Sequence, residues 1–190
     1  MSNPELRLRP ASESDMAGVF EIHKYYTLQT VITFKTVVTS KIKHVENLRS
    51  VQSQRLPYIV ALLPSSERDE TTGERVVGYI YCSGFRSGKS GYLHTVELSL
   101  FCHPENLSQG IGTLLLKKLL AVLARPEENK EWYEGGNARS EDDKVRQVLA
   151  VMALDETARD GGYGLKQWYE RFGFEEVGHL KKVGRKFDRW

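Results

Sequence analysis

The stretch from Tyr92 to Ala124 constrains the fold more than any other part of the chain. It reads YLHTVELSLFC, then HPENLSQGIG, then TLLLKKLLAVLA. The first piece has the apolar and β-branched content of a strand. The His103–Pro104 step ends it, because proline has no N–H for a sheet ladder. The last piece is an unbroken run of strong helix formers to about Ala124. A strand, a glycine turn and a helix are therefore predicted. Such a turn exposes backbone N–H groups that no helical carbonyl takes, and the helix dipole adds positive potential at the same place. Gly110 and Gly112 let the backbone approach phosphate oxygens without a Cβ in the way. The pattern lacks the three glycines and later acidic residue of a dinucleotide fold, and the Gly-Lys-Ser/Thr of a P-loop. On the motif alone, a tight turn with no ligand is the alternative.

Around this centre the chain alternates strand and helix patterns. Leu6 and Leu8 alternate with Arg7 and Arg9 as a short strand, and Ser12 with Asp15 forms a capping pattern for a helix to about Leu28. TVITFKTVVTS, residues 30–40, is β-branched and prefers extended backbone. Ile42, Val45, Leu48 and Val51 predict a second helix, which Pro57 ends. Residues 58–63 and 75–85 predict a hairpin across PSSERDETTGE. Residues 145–154 read as a strand, 165–172 as a helix ended by Gly173, and 174–180 as a further strand. The charged stretch 126–144 has little periodicity and reads as a surface insertion without chemistry.

Composition narrows the function classes. A chain of 190 residues fits one domain. With 40% hydrophobic and 27% charged residues and a net charge of +2, it has the balance of a globular protein. Lys and Arg are interleaved with Asp and Glu, which argues against nucleic-acid binding. Cys82 and Cys102 are too few and too far apart for a disulfide framework or a zinc site, so no metal is expected. The N-terminus lacks the apolar core of a signal peptide and no run has the length of a membrane span, so a cytoplasmic protein without membrane contact is expected.

Five pieces of sequence carry a family resemblance: LRLRPASESDM, YYTLQTVITF, VVGYIYCSGF, the long stretch through SQGIGTLLLKKLL, and WYERFGFEEVG followed by KVGRKFD. Together they resemble the GNAT superfamily of N-acetyltransferases, and more narrowly its phosphinothricin acetyltransferase-like group, over nearly the whole chain. The resemblance implies an α/β GNAT fold, with a mixed central sheet of six to seven strands flanked by about four helices. It also implies acetyl-CoA as co-substrate, with the pantetheine arm along Leu100, Phe101 and Cys102. The pyrophosphate would lie in a cradle of Ser108, Gln109, Gly110, Ile111, Gly112 and Thr113. Leu107 stands at the first position of the family's Q/R-x-x-G-x-G/A signature, so backbone donors would have to suffice there.

For catalysis the resemblance points to Glu97, in Thr95-Val96-Glu97, as general base. A carboxylate held among apolar strand residues is a better proton acceptor than one in open water. Tyr169 matches the position of the tyrosine that protonates the leaving thiolate. Phe34, Arg86, Lys89 and Tyr92 fall where the family binds its acceptor, and basic residues there would hold an acidic amine. The alternatives are a Glu on a solvated strand face, a core tyrosine and solvated hairpin charges. The expected reaction is acetyl transfer to the primary amine of a small molecule, such as phosphinothricin or methionine sulfoximine. A protein or peptide acetyltransferase, a non-catalytic acyl-CoA-binding module and a ping-pong enzyme using Cys102 are the competing readings. The resemblance also implies a homodimer.

Overall fold

Alternation and β-branching produce five strands among the described residues: β1 (Arg7–Pro10), β2 (Tyr58–Pro64), β3 (Glu74–Gly84), β4 (Thr95–Cys102) and β5 (Gln147–Leu149). They form one mixed sheet in the order β1-β2-β3-β4-β5. The first four pair antiparallel, and β5 pairs parallel with β4. The computed structural model describes residues 5–64 and 73–190, so most of the hairpin connection expected over 64–74 lies outside the described residues. The described residues also form four α-helices: α1 (Met16–Gln29), α2 (Lys41–Ser53), α3 (Ile111–Ala124) and α4 (Gly164–Glu170).

The six to seven strands expected from the sequence are thus corrected to five among the described residues, and the physical reasons are local. Residues 174–180 form no ladder, since Val177 and Leu180 are 87% and 76% exposed and give a strand no buried face. Residues 30–40, whose composition prefers extended backbone, join no ladder, and threonine hydroxyls take up backbone groups there. Thr30 Oγ1 donates to the Tyr26 carbonyl and accepts the Ile32 N–H, while Thr33 Oγ1 accepts the Lys35 N–H. The strand expected over 145–154 is reduced to β5. The strand expected from Tyr92 begins at Thr95, because Ser90–Tyr92 close a 3-10 turn.

The chain divides into two compact units, Met1–His23 with Thr39–Ala150, and Lys24–Val38 with Val151–Trp190. The first holds the sheet. Every residue from Tyr58 to Leu63 in β2 is buried, which explains its continuous apolar run. α3 packs on β2, β3 and β4 through Leu115, Leu116, Leu119 and Val122, each with no exposed surface. Gly78 of β3 is small for a packing reason, since a Cβ there would stand 3.0 Å from Ile111 Cγ2 and 3.1 Å from Leu115 Cδ1. Before α1, the Ser12 N–H donates to Asp15 Oδ2 at 2.7 Å, the capping pattern predicted. Arg9 adds two hydrogen bonds of 2.7 Å to the same carboxylate.

The second unit contains α4, which gives way to a turn at Gly173 with φ of +83°. It also contains the segment 24–38 and the C-terminal stretch. Lys186, 3% exposed, donates from Nζ to the Thr33 carbonyl at 2.8 Å and the Tyr26 carbonyl at 3.3 Å. Gly184 lies flat against Phe34, where a Cβ would come within 2.6 Å of the ring.

Candidate active site

Side-chain alternation on β4 divides its residues between two faces. Cys102 is registered opposite Gly78, which meets α3, so Val96, Leu98, Leu100 and Cys102 share the α3 face. Phe101 is registered opposite Tyr79 and lies 5.8 Å from the His23 ring of α1, so Glu97, Ser99 and Phe101 share the other. Glu97 is half-buried, with Ser83 as its partner across β3 and Leu149 across β5. The β4–β5 ladder covers Thr95, Val96 and Glu97 alone. Among the described residues β5 does not extend beyond Glu97, so on that edge β4 runs on by itself as a rail from Leu98 toward Cys102 for an extended ligand with amide groups. The rail leads from Glu97 to the glycine turn.

The turn has the backbone of an anion cradle. Ser108 and Gly110 are both left-handed, with φ of +61° and +81°. Gly110 is the N-cap of α3. Apart from its own chain neighbours, no atom of the described residues lies within 4 Å of where its Cβ would be. Glycine is therefore required by conformation, not by protein packing, and the space over the turn is open to a ligand. The N–H groups of Ile111, Gly112 and Thr113 stand in the first helical turn, where no intrahelical carbonyl reaches them. Ile111 points its side chain into the core at 2% exposure, so its contribution is its backbone. Gln109 accepts the Asn106 Nδ2–H at 3.3 Å, and buried Asn106 Oδ1 has no donor among the described residues. A ligand or solvent N–H or O–H would complete it.

One feature of the cradle was not legible in the sequence. The Gly112 N–H donates to Cys102, so the thiol at the end of β4 sits at the N-terminus of α3. Burial pushes the Cys102 thiol up to about 11, against the smaller opposing pull of that N–H. A thiol so reluctant to ionise is a poor nucleophile at neutral pH, which counts against the ping-pong alternative.

The other predicted residues fall into two places. In the sheet unit, Arg86 lies over the Phe85 and Tyr92 rings at 5.5 and 5.9 Å, and the two rings meet edge to face at 5.4 Å. The hairpin between β3 and β4 thus unites Arg86 with Tyr92, while Lys89 is exposed beside them. Tyr169 and Phe34 belong to the second unit. Tyr169, 9% exposed, meets Trp168 and Phe174 edge to face at 4.9 and 5.2 Å. Phe34 is 49% exposed on the loop that Lys186 ties. That unit also contains a cavity of about 290 Å³, lined among others by Ile32, Asp155, Leu165, Trp168 and Arg171. Periodicity gave no sign of it, because its walls come from segments more than a hundred residues apart.

The family model described as Acetyltransferase (GNAT) family matches residues 46–142, from α2 through β2, β3, β4 and α3. The chain belongs to the GNAT acetyltransferase family. It is 28% identical over 183 residues to a phosphinothricin N-acetyltransferase of Alcaligenes faecalis, covering 96% of this chain and 77% of the relative. An N-acetyltransferase of Streptomyces griseus is 26% identical over 186 residues, covering 98% of this chain and 82% of the relative. Among solved structures, a GNAT phosphinothricin acetyltransferase of Sinorhizobium meliloti in complex with acetyl-CoA superposes with a TM-score of 0.71. That pair is 28% identical, covering 98% of this chain and 83% of the other. This GNAT enzyme is accordingly an N-acetyltransferase that takes its acetyl group from acetyl-CoA, and the glycine turn and rail fit such a co-substrate. Among the described residues no cluster of His, Cys, Asp or Glu has a metal-binding arrangement, and no helix is long and apolar enough to cross a membrane.

Proposed function

We propose that the chain acetylates the primary amine of a small molecule, with amino-acid analogues such as phosphinothricin or methionine sulfoximine as first candidates. The observation that carries this reading is the continuity of Glu97, the part of β4 that runs on beyond the β5 ladder and the left-handed turn at Ser108–Gly110. A base, a rail and an anion cradle follow one another along the same strand and turn. Acetyl-CoA supplies an activated acetyl carbon on a thioester. The backbone of Leu100, Phe101 and Cys102 holds the pantetheine amides, and the turn from Ser108 to Thr113 holds the pyrophosphate. Glu97 takes the proton of the acceptor ammonium, directly or through water, so that the amine lone pair can form the new N–C bond. Tyr169 protonates the thiolate released as the C–S bond breaks. Arg86 and Lys89, with Tyr92 and Phe34, hold the acceptor, and the guanidinium of Arg86 suits a carboxylate or phosphinate.

Relatives named for phosphinothricin and for L-methionine sulfoximine/L-methionine sulfone support an amine beside an acidic group. A single catalytic domain, a homodimeric assembly and a cytoplasmic location accompany this reading. The test is thiol release from acetyl-CoA by purified protein, with amino acids, phosphinothricin, methionine sulfoximine, polyamines and a lysine peptide. Activity concentrated on the acidic amino-acid analogues is the expected outcome. Activity on the peptide alone would overturn it in favour of a protein acetyltransferase, and acetyl-CoA binding without turnover of any amine would favour an acyl-CoA-binding module.

A further inference from the structure

The stretch 126–144 reads from its sequence as a charged surface insertion, yet it buries two anchors. Tyr133 is 5% exposed and donates from its hydroxyl to the Val122 carbonyl at 3.2 Å, which fixes the start of the segment on α3. Arg139 is also 5% exposed, and its guanidinium is spent on backbone carbonyls. Nε donates to Gln54 at 3.1 Å, while Nη1 donates to Leu93 at 2.8 Å and, more weakly, to Asp143 at 3.4 Å. Asp143 is itself tied to Arg55 and to the Ser140 N–H and hydroxyl.

These contacts converge on the hairpin that joins β3 to β4. Its outgoing leg ends at Gly84, whose N–H donates to Gln54 Oε1 at 2.9 Å. Its returning leg passes through Leu93, next to Tyr92 and four residues before Glu97. The Phe85 N–H closes the two legs on the Thr95 carbonyl at 3.0 Å. Gln54 therefore grips one leg with its side chain, Arg139 grips the other, and Arg139 grips the Gln54 backbone as well. The next residue is secured too, since His94 Nδ1 pairs with the Lys144 carbonyl at 2.9 Å.

We infer that the segment around Arg139 is a strut for the acceptor-side hairpin, and that Arg139 is a positioning residue for amine binding. A planar guanidinium reaches separate carbonyls in fixed directions, which a lysine ammonium on a flexible stem does not reproduce. The functional half of this inference rests on the proposed acetyl transfer, with Arg86 and Tyr92 meeting the acceptor.

The experiment compares wild type with Arg139→Met, Arg139→Lys and Gln54→Leu in steady-state kinetics and in amide hydrogen exchange of the full chain. In Arg139→Met, KM for the amine should rise about 10-fold or more while KM for acetyl-CoA stays within about twofold, with Arg139→Lys intermediate. Exchange should quicken at Gly84 and Phe85, with the amides of β2 unchanged. Equal changes in both KM values, or a general loss of protection without a change confined to the hairpin, would overturn the inference. If Arg139→Met does not fold, Gln54→Leu, which keeps the backbone carbonyl used by Arg139, should show the same split. If wild type acetylates no amine, the functional reading fails by itself, and the exchange data still decide whether the strut holds the hairpin.

Discussion

Asp15 shows how one residue carries several jobs. Burial pushes its carboxyl up, but the two Arg9 hydrogen bonds and those from the Ser12 N–H and hydroxyl outweigh burial and hold it below the usual carboxylate range. A folded pKa below the unfolded value of about 3.9 means that this stabilisation is complete above that pH. It is lost as pH falls through the lower folded value. Asp15→Asn should therefore lower stability at pH 7, by about 1–3 kcal/mol for a buried charged hydrogen-bond partner, and cost less at an acid pH below the folded value. Urea melts at the two pH values check this. At Glu97 the chemistry is at stake instead. Glu97→Gln keeps the shape and removes the proposed proton acceptor, so turnover at neutral pH should fall by about 10²- to 10⁴-fold. Calorimetric affinity for acetyl-CoA should not change, and a loss of affinity would make Glu97 a structural residue.

At the scale of elements, the seating of α3 on the sheet decides where the cradle lies. Ile111, the first residue of α3, and Leu115 press on Gly78, which is registered opposite Cys102. Gly78→Ala would place a Cβ 3.0 Å from Ile111 and 3.3 Å from the Phe101 carbonyl, so the helix N-terminus must give way. Overpacking of this kind costs about 1–3 kcal/mol. The displaced helix start should also raise KM for acetyl-CoA more than KM for the amine. That order is the reverse of the one expected for Arg139→Met, so the two variants separate the cradle from the acceptor hairpin in one kinetic assay.

At the scale of the whole molecule, the chain comprises two compact units with different cores. The sheet unit is built on apolar strands sealed by α3. The other depends on polar ties such as Lys186, whose Nζ meets the Tyr26 and Thr33 carbonyls and whose pKa burial pushes below the usual lysine value. Lys186→Met should release residues 26–34 and leave the strands untouched. Hydrogen exchange should accelerate over that segment alone, and acceleration across β2–β4 would show that the tie serves the sheet unit as well.

How far the sequence reached depends on the range of the interactions involved. The strand, glycine turn and helix from Thr95 to Ala124 were legible because apolar run, proline stop, left-handed glycine and helix propensity all act within a few residues. The Ser12–Asp15 cap and the Gly173 stop were legible for the same reason. The proposed cradle and base rest on motif and family resemblance. Residues 174–180 misled because apolar residues form strands only where a neighbouring strand and a buried face exist. The placement of Cys102 under the Gly112 N–H, the convergence of Gln54, Leu93 and Asp143 on Arg139, and the closure of the Phe34 loop by Lys186 join distant parts of the chain. Local sequence thus determined the strand–turn–helix unit and, with it, the acetyltransferase family. Tertiary structure alone decided the buried polar contacts, because such groups are stable only where the fold supplies partners that sequence spacing does not encode.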